Sequence, residues 1–551
     1  MKRLAAVCIF ALAVAFSAQA GSGGHLKGKV LKLDKNCSIS EVGGSSMSLS
    51  LSGLNSSKSL SLLDVERALV KAADDSGIAM VYINFDHFSA SVYALEEIRP
   101  LLRRISEAGK PVVAYGASLS NGSYYLASAA DRIFLHPQGG GALTGLASTQ
   151  YFLKDLLDTL GVEVQLIRHG KFKSAGEMYI RNDISPENRA QYEALMGSLW
   201  RTISEEVANA RGLAASEIDE ITDGLLTGTA QMWMERGLVD GLKYRDEMEK
   251  YICHLFGVQD PDEVETVSLP KYVEKLKKGP SSRKIAVVYA DGEIVRSGSG
   301  IVGEKLAAEI AKVRADSTVK AVVFRVNSPG GEVVAADMIR REIELLRADK
   351  PVVASYGAYA ASGGYLISAA CDRIFVDNTT LTGSIGVFGM IPSLGSAIKK
   401  NLKVNVVSIG TNAHSAMGSG MNPLSAEEQA WYQDEIEGIY DDFLTVVAEG
   451  RDMEKEAVDE IAQGRVWAGR DALQIGLADE KGSLLDAIDY AASLVGLRSY
   501  RITAVPEKKN FLKSLREKED RDEPLVSFDI PSFLSEPGFH AVARMPYLVI
   551  E

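Results

Sequence analysis

Residues 351–374 read PVVASYGAYAASGGYLISAACDRI, and residues 111–133 read PVVAYGASLSNGSYYLASAADRI. The two stretches align with a single one-residue gap at an offset near 240. The same offset relates Leu143-Thr144-Gly145 to Leu381-Thr382-Gly383, and Gly237-Leu238-Val239-Asp240 to Gly476-Leu477-Ala478-Asp479. It also relates SPENRAQY at 185–192 to SAEEQAWY at 425–432. Four collinear matches at one offset define a tandem duplication, and overlooking it would misassign the whole fold. The repeats span 40–266 and 285–500. A Lys-rich segment at 267–284 reads as an exposed linker, and residues 501–551, with scattered prolines and charge clusters, read as an irregular tail.

Inside the second repeat, 285–289 and 319–326 are β-branched runs of strand length. Residues 333–347 place Ile339, Ile343, Leu345 and Leu346 at helical spacing. Residues 351–355 predict a buried strand, 363–370 a small-residue helix, and 373–376 another strand. Short strands alternating with helices predict a mostly parallel α/β architecture in each repeat. Asp131-Arg132 and Asp372-Arg373 occur in both repeats and read as structural ion-pair positions.

The chain has 551 residues, 46% of them hydrophobic and 24% charged, with 60 Lys and Arg against 73 Asp and Glu, a net charge of −13. This is globular composition, which excludes disordered, collagenous and coiled-coil proteins. The acidic balance, with no large basic block, argues against a nucleic-acid partner. Lys2 and Arg3, the apolar run 4–16 and Ala18-Gln19-Ala20 form an export signal over residues 1–20. The run is shorter than the roughly 20 residues of a spanning helix. Cleavage after Ala20 is the preferred reading, and retention as an anchor the alternative. Cys8 leaves with the signal. Cys37, Cys253 and Cys371 make no disulfide framework, and no spacing of Cys and His points to a metal.

The repeats differ where chemistry would reside. The second carries Asn327-Ser328-Pro329-Gly330-Gly331, where the first has Asn84-Phe85-Asp86-His87-Phe88. A Gly-Gly pair lets backbone N–H groups approach an anion, although Pro-Gly-Gly alone is more often a turn. The second also carries Thr382-Gly383-Ser384-Ile385-Gly386, where the first has Leu146 in place of the serine. Ser384 is either a hydroxyl presented on a sharp bend at a helix start or an ordinary helix N-cap. The first repeat alone has a lysine at Lys173, which aligns with His414. One half keeps a serine and a glycine turn, the other a lysine, a pattern that suits one composite site. The plain alternative is a solvated surface lysine.

These motifs, with Ala360–Tyr365 (AASGGY) and Lys173–Glu177 (KSAGE), resemble the signal peptide peptidase A family, also called protease IV, in its long duplicated form. The resemblance covers about residues 50–500. It implies tandem ClpP/crotonase-like domains with a composite active site and a Ser-Lys dyad, with Ser384 as nucleophile and Lys173 as base. Lys171 is the less favoured lysine. Lys173 must be buried to be neutral near physiological pH, since a free ammonium titrates near 10.4. Gly330 and Gly331 are expected at the oxyanion hole, and Ser408 as a hydroxyl supporting the lysine. No cofactor or metal is expected. The resemblance also implies degradation of remnant signal peptides and other short apolar or unfolded peptides at the periplasmic face of the inner membrane, by a membrane-associated homotetramer.

Three alternatives stand beside this. Ser362, in Ala-Ala-Ser-Gly-Gly, could be the nucleophile of a ClpP-like Ser-His-Asp protease, with His414 or His169 as base. A crotonase acting on acyl-CoA would share the fold but not the export signal. A scaffold without activity would have no reason to keep both Ser384 and Lys173.

Overall fold

The computed structural model describes residues 25–34, 38–50, 53–276, 282–506 and 541–545. The expected export signal, Cys8, Cys37 and residues 507–540 lie outside the described residues. The chain divides into two compact units, Met1–Gly145 with Ile203–Lys277, and Leu146–Thr202 with Lys278–Glu551. These units do not follow the repeat boundaries. Leu146–Thr202, part of the first repeat by sequence, packs with the second unit and carries Lys173 there.

The first unit is built on a six-stranded, wholly parallel sheet. Its order is Thr266–Ser268, Lys29–Leu33, Ile78–Asn84, Val112–Leu119, Arg132–Gly141 and Gly241–Leu242. Central strands such as Ile78–Asn84 are apolar on both faces because helices cover them. Helix Leu62–Asp74 contributes Leu62, Val65, Ala68, Leu69 and Ala72 to the core, and begins where Ser61 Oγ accepts the Asp64 N–H.

The second unit repeats the plan. Its main sheet runs Val466–Ala468, Leu381–Gly383, Val352–Ala361, Val319–Ser328, Lys284–Asp291 and Arg501–Val505, and Arg373–Val376 and Glu480–Lys481 extend it. All pairs in it are parallel except Val466–Ala468 with Leu381–Gly383. Shared details confirm the duplication. Asp131 accepts the Val112 N–H and Asp372 the Val352 N–H, both on carboxylate oxygens. Tyr124 donates to Leu238 O and Tyr365 to Leu477 O. Pro186–Arg211 and Ala426–Arg451 are both 26-residue helices. The repeated Asp-Arg pairs are structural, with other partners: Arg132 meets Asp240, Asp372 meets Arg347, and Arg373 meets Glu480.

Several sequence expectations shift. The strand expected at 351–355 is Val352–Ala361, because its first half pairs with Arg373–Val376 and its second half with Leu381–Gly383. The helix expected at 363–370 is one turn, Gly363–Leu366. The linker begins later than 267, since Thr266–Ser268 is an edge strand, and Leu269 and Tyr272 are buried with the Tyr272 hydroxyl on Asp75. The tail is not wholly irregular: Arg501–Val505 closes the main sheet, and Ala541–Arg544 joins a second one. That second sheet orders Ile301–Val302, Ile294–Val295, Gly330–Glu332, Ala541–Arg544, Phe388–Ser393 and Glu163–Arg168. Cys253 and Cys371 are buried free thiols. No helix among the described residues is long and apolar enough to cross a membrane.

Candidate active site

Everything needed to place Lys173 lies in the second unit. Strand Glu163–Arg168 pairs antiparallel with Phe388–Ser393, from Glu163 opposite Ser393 to Arg168 opposite Phe388. The chain then turns at Gly170, whose carbonyl accepts the Lys173 N–H, while Phe172 N–H donates to Gln463 O. A buried carboxylate anchors the turn after the lysine. Glu177 accepts both Ser185 Oγ contacts, at 2.8 and 2.9 Å, the Asn188 amide at 3.3 Å and the Arg168 guanidinium at 3.2 Å. Arg168 also donates to Lys173 O at 2.7 Å. The Lys-Ser-Ala-Gly-Glu motif therefore ties its own backbone to the strand before it.

Ser384 stands where strand Leu381–Gly383 leaves the main sheet. Gly383 has φ +75° and Ser384 itself φ +49°, a left-handed conformation that a non-glycine residue adopts only when its surroundings enforce it. The enforcing contacts are Ser384 N–H on Arg465 O at 2.6 Å and Gly464 N–H on Ile385 O at 2.8 Å. No helix begins here, contrary to both sequence readings of this serine. The chain runs on into strand Phe388–Ser393.

The Lys173 side chain is fully buried, and its Nζ lies 3.0 Å from Ser384 Oγ, 3.0 Å from Ser384 O and 2.8 Å from Ser362 Oγ. Removal from water holds its ammonium well below the ordinary lysine value, because burial disfavours the charged form. The aliphatic stem is equally confined. A Cβ added at Gly464 would stand 2.6 Å from Lys173 Cβ, and one at Gly386 3.3 Å from its Cδ. Lys171 is exposed beside the Phe172 ring and takes no part in this cluster.

Hydrogen-bond accounting orders the three groups. A neutral amine has two N–H donors and one lone pair. Ser384 O, a carbonyl, can only accept. Ser362 Oγ can accept from the amine and pass its own proton toward Gly386 O at 3.4 Å. The lone pair is then left facing the Ser384 hydroxyl. A neutral amine so placed can take the proton of that hydroxyl and make its oxygen a nucleophile.

Ser362 is thus brought into the cluster, fully buried and at φ +55°, beside a lysine. His169 and His414, its candidate partners in a Ser-His-Asp reading, contact Glu437 and Glu428 instead. Ser408 is solvent-exposed, while Lys173 is sealed from solvent, so the hydroxyl next to the amine besides Ser384 is that of Ser362. The expectation of Ser408 rests on a stretch after Ser384 that aligns between the repeats only across a gap, which leaves its register undefined. Gly330 and Gly331 form a strand, at φ +102° and +157°. A Cβ on Gly331 would meet Ile294 O at 1.9 Å, so only glycine fits. Gly330 N–H donates to Ser328 Oγ at 3.2 Å. No group of three His, Cys, Asp or Glu side chains among the described residues is placed to hold a metal.

Comparison with known proteins identifies the family. The profile of Peptidase family S49 matches twice, at residues 104–258 and 344–498. The chain belongs to that family. Protease 4 of Haemophilus influenzae is 37% identical over 467 residues, covering 81% of this chain and 75% of that protein. Protease 4 of Salmonella typhi is 36% identical, covering 80% of this chain and 73% of that protein. The chloroplastic serine protease SPPA of Arabidopsis thaliana is 34% identical, covering 78% and 65%. Among solved structures, a ClpP1 mutant from Listeria monocytogenes matches at 16% identity and a TM-score of 0.26, covering 38% of this chain and 95% of that one. As a family S49 member with these relatives, the chain is a serine-type peptidase with two α/β repeats.

Proposed function

We propose that this peptidase works through a Ser-Lys dyad, with Ser384 as nucleophile and Lys173 as general base. The observation that carries the proposal is a fully buried amine 3.0 Å from Ser384 Oγ, with its other hydrogen-bonding directions taken. Neutral Lys173 accepts the Ser384 proton as Oγ forms its bond to the scissile carbonyl carbon. On the family resemblance the oxyanion is held by N–H groups at Gly330 and Gly331, the Gly330 N–H leaving Ser328 Oγ to do so. The C–N bond breaks, the leaving amine takes the proton from Lys173, and an acyl-serine remains. Water then attacks the ester, again giving its proton to Lys173, and Ser384 is restored. Losing one oxyanion donor typically costs about 10²–10³ in rate.

Ser362 positions the amine rather than attacking. The opposite reading has one observation in its favour: Ser362 Oγ is the nearer hydroxyl, at 2.8 Å. It then needs the lone pair to face Ser362 while Ser384 Oγ accepts, and leaves Gly386 O without the Ser362 proton.

The substrates on this reading are extended, largely apolar peptides, among them signal-peptide remnants, cleaved outside the cytoplasm at the periplasmic membrane face by a homotetramer. The export signal in residues 1–20 supports the compartment, and the family resemblance supports the substrate and the assembly. The test is hydrolysis of signal-peptide-like peptides and of a denatured protein by the wild type, Ser384→Ala and Ser362→Ala. The proposal expects no turnover from Ser384→Ala. Near-normal turnover by Ser384→Ala with none from Ser362→Ala would move the nucleophile to Ser362.

A further inference from the structure

Lys173 stays dry only while the seam between its turn and the loop 463–465 is closed. That loop touches both members of the proposed dyad. Gln463 O accepts the Phe172 N–H at 2.9 Å, Gly464 lies against the Lys173 backbone and Cβ, and Arg465 O accepts the Ser384 N–H at 2.6 Å. Gly464 has no room for a side chain, because a Cβ there would stand 2.6 Å from Lys173 Cβ. The Gln463 side chain turns away, to Asp459 at 2.6 Å and to the Tyr440 hydroxyl. Arg465 is therefore the residue of the loop whose side chain can cover the seam.

It does so by stacking. The guanidinium carbon lies 5.2 Å from the centroid of the Phe172 ring and 4.1 Å from that of Trp467. Trp467 is fixed twice: its strand Val466–Ala468 sets it opposite Thr382, and its indole N–H donates to Ile461 O at 2.9 Å. A planar guanidinium packs well on aromatic faces, and the contact strengthens as water leaves it. Burial is deep enough to hold the Arg465 guanidinium below its ordinary pKa, and Asp471 acts on it without forming an ion pair. The other end of the turn is held separately. His169 N–H donates to Val387 O at 3.1 Å, and the His169 ring stacks on Tyr440 at 3.8 Å.

We propose that Arg465 is a positioning residue for the dyad: stacked on Phe172 and Trp467, it closes the seam over Lys173 and keeps water from the amine. The proposal rests on the reading of Ser384 and Lys173 as the reacting groups. Around the turn stand Arg168 with Glu177, Lys171 beside Phe172, His169 with Glu437, Tyr440 with Asp459, and Arg465 with Asp471. None of these side chains is a partner of Lys173 Nζ, which contacts Ser362 Oγ, Ser384 Oγ and Ser384 O. Burial alone accounts for its lowered pKa. Water admitted at the seam therefore raises that pKa toward the ordinary lysine value, and the acid limb of kcat/KM follows it upward. The loss of activity is largest at low pH and vanishes above both values.

The test measures pH–rate profiles of the wild type, Arg465→Ala, Arg465→Lys, Phe172→Leu and the double variant Arg465→Ala/Phe172→Leu on a fluorogenic apolar peptide. In parallel, acetylation of Lys173 by acetic anhydride is read by mass spectrometry. The proposal expects the acid limb of Arg465→Ala to rise by about one pH unit, a loss of about tenfold at its foot that disappears at alkaline pH. Lys173 should be acetylated faster in that variant. Arg465→Lys should shift likewise, because an ammonium keeps the charge but has no plane to stack. Phe172→Leu should match Arg465→Ala, and the double variant should add little to either. An acid limb that stays in place, with activity unchanged or lowered equally at every pH, would overturn the proposal, as would restoration of the limb by Arg465→Lys. Acetylation needs no turnover, so it decides the seam even if Lys173 proves not to be the base. Loss of turnover in Lys173→Met decides the base even if Arg465 does nothing.

Discussion

Lys173 and Ser384 are 211 residues apart in sequence, and their Nζ and Oγ atoms are 3.0 Å apart in the fold. The contact depends on an arm that belongs to the first repeat by descent and to the second unit by packing. Duplication supplied two copies of each position. The first repeat has Leu146 where the second has Ser384, and the second has His414 where the first has Lys173.

Replacing Ser362 by alanine separates positioning from attack. The variant should keep measurable activity while kcat falls about tenfold or more, since one hydrogen bond to the amine is worth about 1–1.5 kcal/mol. A hydroxyl that accepts from the ammonium favours the charged form, so its removal should shift the acid limb of kcat/KM to lower pH. An unshifted limb would show that Ser362 does not act on Lys173.

Lys173 should be a stability liability. Its pKa is lowered on folding, so between the folded value and the unfolded value near 10.5 the unfolded chain binds more protons. Its contribution to stability therefore improves as pH rises through that window and is worst below it. Lys173→Met should be inactive, yet at neutral or lower pH it should unfold no more easily than the wild type. The difference between the two should shift in favour of the wild type as the solution becomes alkaline. Thermal unfolding measured from pH 6 to 10 checks the sign.

The two repeats and their parallel sheets could be read from the sequence because the repeated segments are the central strands themselves, and their pattern depends on local burial. The Ser384–Lys173 relationship was legible through complementary losses. Two features were not. Ser362 reaches Lys173 only because its backbone is held at φ +55°, which no local pattern announces. Ala541–Arg544 is a strand only through partners more than 150 residues away. Its four residues carry no alternation of their own, so a proline-dotted tail reads as irregular.

Gly464 should tolerate no side chain. Its φ is +75°, and a Cβ would stand 2.6 Å from Lys173 Cβ and 2.7 Å from Lys173 backbone atoms. Gly464→Ala should destabilise the protein by about 1–2 kcal/mol from backbone strain alone. It should also lower kcat well beyond the effect on Tm, because the displaced group is the proposed base. Activity measured on the folded fraction distinguishes the two effects.

Glu177 holds the lysine arm without touching the reacting atoms. Its carboxylate is 1% exposed, with Arg168, Ser185 and Asn188 around it. Glu177→Ala leaves those groups unpaired in a buried site and should cost about 3 kcal/mol. Glu177→Gln, which keeps the shape, should cost less and retain most activity. Urea unfolding with a parallel peptidase assay reads both.

Covalent labelling by a serine-reactive phosphonate, followed by tryptic mapping, tests the dyad most directly. Arg373 lies between Ser362 and Ser384, so trypsin separates the two serines onto different peptides. The account predicts one adduct, on the peptide that begins at Ile374 and carries Ser384, formed faster as pH rises and absent from Lys173→Met. An adduct on the peptide carrying Ser362, or labelling of Ser384 at an undiminished rate in Lys173→Met, would contradict it.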